Sequence, residues 1–445
     1  MGREMMILED YLQINAQRYA TKDAIVCGHR RVTYSELAHL VSARCQKLSG
    51  EYREGQIVTL RATQSIEFLI TYFALHRLRC IPAPMEKDMP DSMFGHITQR
   101  LSSLTAPEGT ADILYTTGTT GDPKGVMISH RTIIADAENL IEGQGYSREL
   151  AFVINGPLNH IGSLSKVYPV VMMGATLIIT DGLKDINAFY DAFSYPAEAF
   201  ATFLVPASIR ILLQFSAERL ASLADKIDFI ETGASPISHD DMLMLCRILP
   251  HSRLYNTYAS TETGIISTYD FNDGRCIAGC LGKPMKHSKV IITEKGLLAC
   301  QGPTLMTGYI GEPERTAEIL RNDTLFTADI ATIDQEGMVH LEGREGDVIN
   351  VGGFKVAPTE VEQAAMAHPD IADCICIATP HPITGQALKL LFVGRDKASI
   401  EKRELARFLC TKLPPHMVPM QYERTDQIER TFNGKLDRKH YHNTL

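Results

Sequence analysis

The stretch YTTGTTGDPKGVMISH, Tyr115–His130, decides how the rest of this chain is read. Between Tyr115 and Val126 it holds four threonines, three glycines (Gly118, Gly121 and Gly125), one proline and one lysine, Lys124. A loop of that make-up can turn the backbone N–H groups of Thr116, Thr117, Gly118, Thr119, Thr120 and Gly121 toward an anion. The threonine hydroxyls add donors and Lys124 adds a positive charge. ADILY before it reads as a buried strand, and HRTIIADAENLI after it reads as a helix. That predicts a glycine-rich loop between strand and helix, where phosphate chemistry is usually housed. No glycine-lysine-serine or glycine-lysine-threonine closes the loop, so it is not a Walker A motif.

At 445 residues the chain is too long for one ordinary core and suits two or three domains. With 44% apolar and 22% charged residues it has the balance of a globular protein, not of a disordered one. A formal charge of −9 and a pI near 5.9 argue against nucleic acid as the main partner. The ten cysteines are scattered. Cys276/Cys280 and Cys374/Cys376 are the close pairs, and neither has a matching second pair for a zinc site, so reduced thiols are expected. MGREMMILEDYL has no apolar run of signal-peptide length. The most apolar stretch, Val167–Thr180, is broken by Pro169 and Gly174 and is too short to span a bilayer. The expectation is a cytoplasmic protein with no integral membrane association.

From Ala111 to about Asn256, short apolar runs (AFVIN, ATLIIT, AFATFLV, KIDFIET, RLYN) alternate with amphipathic stretches, which implies parallel strands with crossover helices. AIVCGHRRVTY, IVTLRA and the helix-like IEFLITYFALHRL repeat that texture on a smaller scale before it. From Gly296 to His340 short alternating strands with glycine turns predict a small β-subdomain. After GREGDVINVGG, Pro358-Thr359-Glu360 starts a helix, ADCICIA and LKLLFV read as strands, and KRELARFLCTKL reads as a helix. The predicted fold class is α/β. A large N-terminal domain of parallel-rich sheets, 1–343, is followed by a small, mobile α+β C-terminal domain, 344–445.

The Tyr115–Gly125 loop resembles the signature of the acyl-adenylate-forming superfamily: acyl- and aryl-CoA synthetases, nonribosomal peptide adenylation domains and luciferases. It departs once, with Thr117 where serine is usual. The resemblance covers nearly the whole length. Between Met85 and Ala111 that superfamily usually carries further strand–helix structure, and a polar, Met-rich connector is expected here instead. The resemblance implies ATP, Mg²⁺ and a thiol, CoA or a carrier-protein phosphopantetheine, as cofactors. A carboxylate attacks the α-phosphate of ATP, pyrophosphate leaves, and the thiol then displaces AMP from the acyl-AMP.

Residue by residue, ETGASP (Glu231–Pro236) resembles the adenine-cradling loop, through Gly233, Ala234 and Ser235. NTYASTETG (Asn256–Gly264) resembles the motif in which Tyr258 stacks on adenine, Thr261 binds the α-phosphate and Glu262 holds the metal; Asn256 opens it, and Ala259 stands where glycine is usual. A carboxylate beside a triphosphate makes sense with a divalent cation to offset the repulsion. In the segment Thr327–Asp347, Asp329 is implied as the acceptor from both ribose hydroxyls and Arg344 as a donor to ribose or phosphate, with Ala328 replacing a usual glycine. RTFNGKLDRKHY (Arg430–Tyr441) matches the C-terminal motif whose lysine, here Lys435, bridges the acyl carboxylate and the α-phosphate. The hinge falls on Gly346, where aspartate or lysine is usual. Thr261, Glu262, Lys124 and Lys435 form the implied catalytic set.

PLNHIGS (Pro157–Ser163) resembles the segment near the acyl pocket, with His160 at the pocket mouth. No acid lies between Gly156 and Asp181, which argues against an α-amino acid substrate. The methyl of Ala259 points to a short, medium or flat aromatic acid. The resemblance is closest in character to AMP-forming acyl- or aryl-CoA ligases. Two alternatives stand beside that reading. One is an acyl-AMP ligase charging a carrier protein, since both acceptors present the same arm and GGFKV (Gly352–Val356) resembles the loop that lines its tunnel in either case. The other is a non-catalytic adenylate-binding paralogue, motivated by Ala259, Ala328, Gly346 and the short N-terminal region. Oligomeric state is not legible in the sequence.

Overall fold

The computed structural model describes residues 6–116, 124–183, 185–395, 400–430 and 436–442. Its largest feature is a sheet of fourteen strands among these residues. Six run parallel, in the spatial order Asp23–Cys27, Thr176–Ile179, Leu150–Ile154, Ala199–Phe203, Ile227–Gly233 and Arg253–Ser260. LAFVI and TLII are buried at every position, as strands with helices on both faces must be. On one face Phe152 and Phe229 pack with Tyr146; on the other Phe189, Phe193 and Phe200 fill a second core.

Beyond Arg253–Ser260 the sheet turns antiparallel, through Gly264–Asp270, Cys280–Pro284, Val339–Arg344, Thr324–Ile333, Leu297–Gln301 and Lys289–Ile292. The β-texture expected from Gly296 to His340 is therefore there, but it starts earlier and continues the central sheet through Cys280–Pro284.

The tail has a sheet of its own between residues 349 and 424, packed by the helices Pro358–Met366 and Lys402–Cys410 around Ile371, Cys374, Leu390 and Phe392. Proline at the first turn of Pro358–Met366 needs no N–H partner, which is why that helix begins where the sequence predicts. All ten cysteines are free. Among the described residues, no helix is long and apolar enough to cross a membrane.

Two expectations are corrected. Lys124–Ser129 is a strand, antiparallel to Thr110–Thr116, and the helix His130–Gln144 begins only after it. The threonine/glycine segment thus joins the two arms of a hairpin instead of linking strand to helix. The third strand of this small sheet, Gly308–Tyr309, pairs with the second arm. The connector between Met85 and Ala111 also folds, as the helix Asp91–Ser102, which buries Ile97 and Leu101 one turn apart.

Candidate active site

The hairpin brings Thr116 directly opposite Lys124, where its two arms meet the connecting segment. The Thr116 hydroxyl is buried and has no hydrogen-bond partner among the described residues. The Lys124 ammonium lies 4.9 Å from the centre of the Tyr309 ring, a cation–π contact. Burial lowers the Lys124 pKa, as does the Arg315 guanidinium, while Glu262 and Glu312 oppose them. Residues Thr117, Gly118, Thr119, Thr120 and Gly121 lie outside the described residues, as does Lys435.

Tyr309 also donates from its hydroxyl to Glu262 Oε1 at 2.9 Å, so one aromatic side chain joins the lysine of the hairpin to the candidate metal ligand. Burial and the Glu262 carboxylate both raise its pKa, which keeps it a hydrogen-bond donor. Glu262 sits in the turn between Arg253–Ser260 and Gly264–Asp270. That turn is tied by Ser260 and Thr263, whose hydroxyls cap each other's backbone N–H groups, and the Glu262 carbonyl accepts from Met306 N–H. Gly264 closes it at φ +67; a Cβ there would stand 2.4 Å from the Thr304 carbonyl. Thr261 is half-buried in the same turn. Glu262 offers hard carboxylate oxygen, the donor Mg²⁺ prefers, so the residue present fits that ion.

At the other end of this segment the Tyr258 hydroxyl donates to Asp329 Oδ2 at 2.6 Å, and Arg344 Nε lies 3.5 Å from Asp329 Oδ1. Asp329 and Arg344 are register partners on adjacent strands, which is what sets them side by side. A β-bulge falls between Tyr258 and Ala259 and turns the chain at the point where the family motif is read. Asn256 is buried and donates to the carbonyl of Cys280, which opens the strand one beyond the antiparallel neighbour, at 2.9 Å.

Gly233 ends Ile227–Gly233 so close to the next strand that a Cβ would stand 2.6 Å from the Thr257 carbonyl. Ala234 follows at φ +67, a left-handed conformation that an L-residue adopts at a cost, and Ser235 is exposed. His160 is the N-cap residue of the helix Ile161–Met173 and is half-buried. Gly346 is exposed in a turn, with open space around it. Just before it Glu345 N–H donates to the Ala328 carbonyl at 2.7 Å. Just after it Asp347 pairs with Arg438 at 3.2 Å. Arg438 also grips Glu362 at 2.8 Å, and Arg430 bridges to Leu436, so both borders of 431–435 are anchored in the tail.

The structure thus brings Thr116, Lys124 and Glu262 into one group through Tyr309, and Tyr258, Asp329 and Arg344 into another. The segment Tyr258–Glu262 belongs to both. Tyr309 was missed by sequence reasoning. It stands alone in TGYIG, and its strand is only two residues long.

Models of known families cover most of the chain. That of the AMP-binding enzymes matches residues 12–103 and 98–310, and that of the AMP-binding enzyme C-terminal domain matches 360–435. A feruloyl-CoA synthase of an Amycolatopsis species is 30% identical over 351 residues, covering 74% of this chain and 69% of its own. ATP-bound MatB from Rhodopseudomonas palustris superposes with a TM-score of 0.86 at 21% identity, over 99% of both chains. The o-succinylbenzoate CoA synthetase MenE from Bacillus subtilis, with ATP and magnesium, gives 0.84 at 21%, over 96% of this chain and 98% of its own. At those identities the solved structures speak for the fold, while the family models speak for descent. The chain belongs to the AMP-binding, adenylate-forming enzymes, in the acyl- and aryl-CoA ligase family.

Proposed function

We propose that this protein is an ATP-dependent ligase that activates a short, medium or aryl carboxylic acid as acyl-AMP and passes it to a thiol, with CoA as acceptor. The observation that carries this reading is the double attachment of one short segment. Its Tyr258 end bonds to Asp329, and its Glu262 end bonds to Tyr309 beside Lys124. A nucleotide with its ribose at Asp329 and its phosphates at Lys124 would span that segment.

In this reading the acid's carboxylate oxygen attacks the α-phosphorus and the bond to pyrophosphate breaks. Lys124 and the Thr116 hydroxyl take the charge leaving with pyrophosphate, and Thr261 donates to the α-phosphate. Asp329 and Arg344 hold the ribose, Tyr258 and the Gly233–Ser235 turn bracket the base, and His160 and Ala259 border the acid. Mg²⁺ held by Glu262 would offset the phosphate charge. Lys435, on the tail, bridges the two reacting anions. We place the unit boundary at 343/344 and the pivot at Gly346, so that the tail brings Lys435 in for the first step and withdraws it before the thiol attacks the acyl carbonyl and AMP leaves. Preorganised charge of this kind typically contributes on the order of 10²–10³ in rate per group.

The test is ATP–pyrophosphate exchange across a panel of carboxylic acids, followed by mass spectrometry with CoA and, separately, with a phosphopantetheinylated carrier protein. Acid-dependent exchange and an acyl-CoA product are expected. Acylation of the carrier alone moves the acceptor, and ATP binding without exchange by any acid removes the enzymatic reading.

A further inference from the structure

Lys166 and Glu231 form an ion pair at 2.7 Å in the middle of the large domain, each with its side chain 1% exposed. The nucleotide chemistry above uses neither. Glu231 lies two residues before Gly233 on one strand, so the two share a face. Lys166 lies four residues after Gly162 and shares a face of the helix Ile161–Met173. Phe203 sits where these faces meet. It is the register partner of Glu231, its ring lies 5.2 Å from Lys166 Nζ, and a Cβ on Gly162 would stand 3.2 Å from it. The Phe203 ring thus takes the space that a side chain at 162 would fill, and the Lys166 ammonium lies over the same ring. Lys166 is six residues past His160, about 9 Å along the helix axis.

Among the described residues, three buried polar atoms here have no partner. Glu231 Oε2 is buried and unbonded, and so is the Tyr146 hydroxyl. Tyr146 packs against Phe229, two residues before Glu231 on the same strand face, with ring centres 5.3 Å apart. Its pKa is raised by burial and then by the Glu231 charge. Asp136 completes the surroundings: Lys166 acts on it electrostatically, its Oδ1 is taken by Ile265 N–H, and its Oδ2 is the third atom without a partner. An acceptor and a hydroxyl left without partners on one face of a core are each costly unless something bonds them.

Resting on the reading that the chain adenylates a carboxylic acid, we propose that Lys166 and Glu231 form the polar far end of the acyl pocket. The acid carries a hydroxyl distal to its carboxylate, which donates to Glu231 Oε2 and accepts from Tyr146. A hydroxyl both donates and accepts, so it satisfies both atoms. An ammonium only donates, and it would add a positive charge beside Lys166, which already neutralises Glu231.

Matched acids test this by pyrophosphate exchange: 4-hydroxybenzoate against benzoate, 4-hydroxycinnamate against cinnamate, and 6-hydroxyhexanoate against both hexanoate and 6-aminohexanoate. In the frame that fits, the hydroxylated acid should lead in kcat/KM by about tenfold or more, as sites built around a substrate hydroxyl discriminate strongly. The double variant Lys166→Met/Glu231→Leu replaces the pair with apolar groups of similar size, which buried pairs tolerate. It should reverse the preference. Should that variant not fold, Tyr146→Phe should still reduce the hydroxyl preference severalfold. Equal or better exchange with the unsubstituted acids, a lead for the ammonium acid, or an unchanged preference in a folded double variant overturns the proposal and leaves the ligase intact. No exchange with any of these acids or with the broader panel overturns the ligase reading and this proposal with it.

Discussion

The strand Thr110–Thr116 carries polar chemistry at both ends, and the two ends are built differently. Near its start Asp112 is fully buried, one oxygen bonded to His76 Nε2 at 3.1 Å and the other to the Tyr72 hydroxyl at 2.8 Å. His76 Nδ1 faces Glu9 at 2.9 Å, so an imidazole lies between two carboxylates and ties the helices Leu8–Arg18 and Ile66–Arg77 to the hairpin. At its far end Thr116 has a hydroxyl with no partner among the described residues, and Lys124 opposite it leans on a ring. Charges held from both sides in the core fix the hairpin. Groups left short of partners at the rim are available to a ligand. On the proposed function one strand separates stability from chemistry, and substitutions at its two ends should separate in the same way.

The largest effect is expected at the buried end. His76→Ala leaves Glu9 and Asp112 facing each other without their cation, and breaking such a buried pairing typically costs about 3–5 kcal/mol, read from chemical denaturation. The same group sets a pH dependence. Burial opposes the His76 charge, but Glu9 and Asp112 outweigh it and hold its pKa up at about 10, against about 6.5 for an ordinary imidazole. The folded pKa is the higher one, so this stabilisation is whole below about pH 6.5 and is lost as pH rises toward 10. His130, whose ring centre lies 5.1 Å from that of His76, is driven the other way by burial and by the His76 charge, to about 4, and stays neutral throughout. A denaturation midpoint flat from pH 6.5 to 10 in the parent protein would break the comparison.

At the rim the order reverses. Glu262→Gln should lower pyrophosphate exchange by roughly 10²–10³ while stability changes by no more than about 0.5 kcal/mol. A variant that unfolds instead would place Glu262 with the structural charges. Lys435→Ala should lose about 10² in acyl-AMP formation yet convert synthetic acyl-AMP and thiol to thioester near the parent rate. Equal losses in both half-reactions would mean that the tail does not withdraw. Tyr309→Phe should have the smallest effect, about tenfold in exchange, since it removes one hydrogen bond to a charged group and keeps the ring under Lys124. No change at all would show Glu262 to be held by other means.

The parallel core was legible because its strands are short, apolar and evenly spaced, and because the tail's proline-started helix and two strands follow local rules. The hairpin's second arm was not. KGVMIS opens with lysine and glycine and runs straight into a helix start, so its four buried central residues give no separate signal. The helix Asp91–Ser102 hid behind Gly95 and a polar surface, although Phe94, Ile97 and Leu101 trace its inner stripe. The charged groups Lys124, Glu262, Asp329 and Arg344 could be picked out because motifs carry them. Tyr309, His76 and the Lys166–Glu231 pair could not. Their partners lie tens of residues away, and only the sheet order brings them together.

The most direct measurement is the identity of the nucleotide product. Purified protein with Mg²⁺, ATP and an accepted acid should release AMP and pyrophosphate in equal amounts once a thiol is supplied, seen by phosphorus NMR or ion-exchange chromatography. The ribose group at Asp329 and the phosphate group at Lys124 would then be acting as one site, with attack at the α-phosphorus. ADP and inorganic phosphate as products would contradict that account.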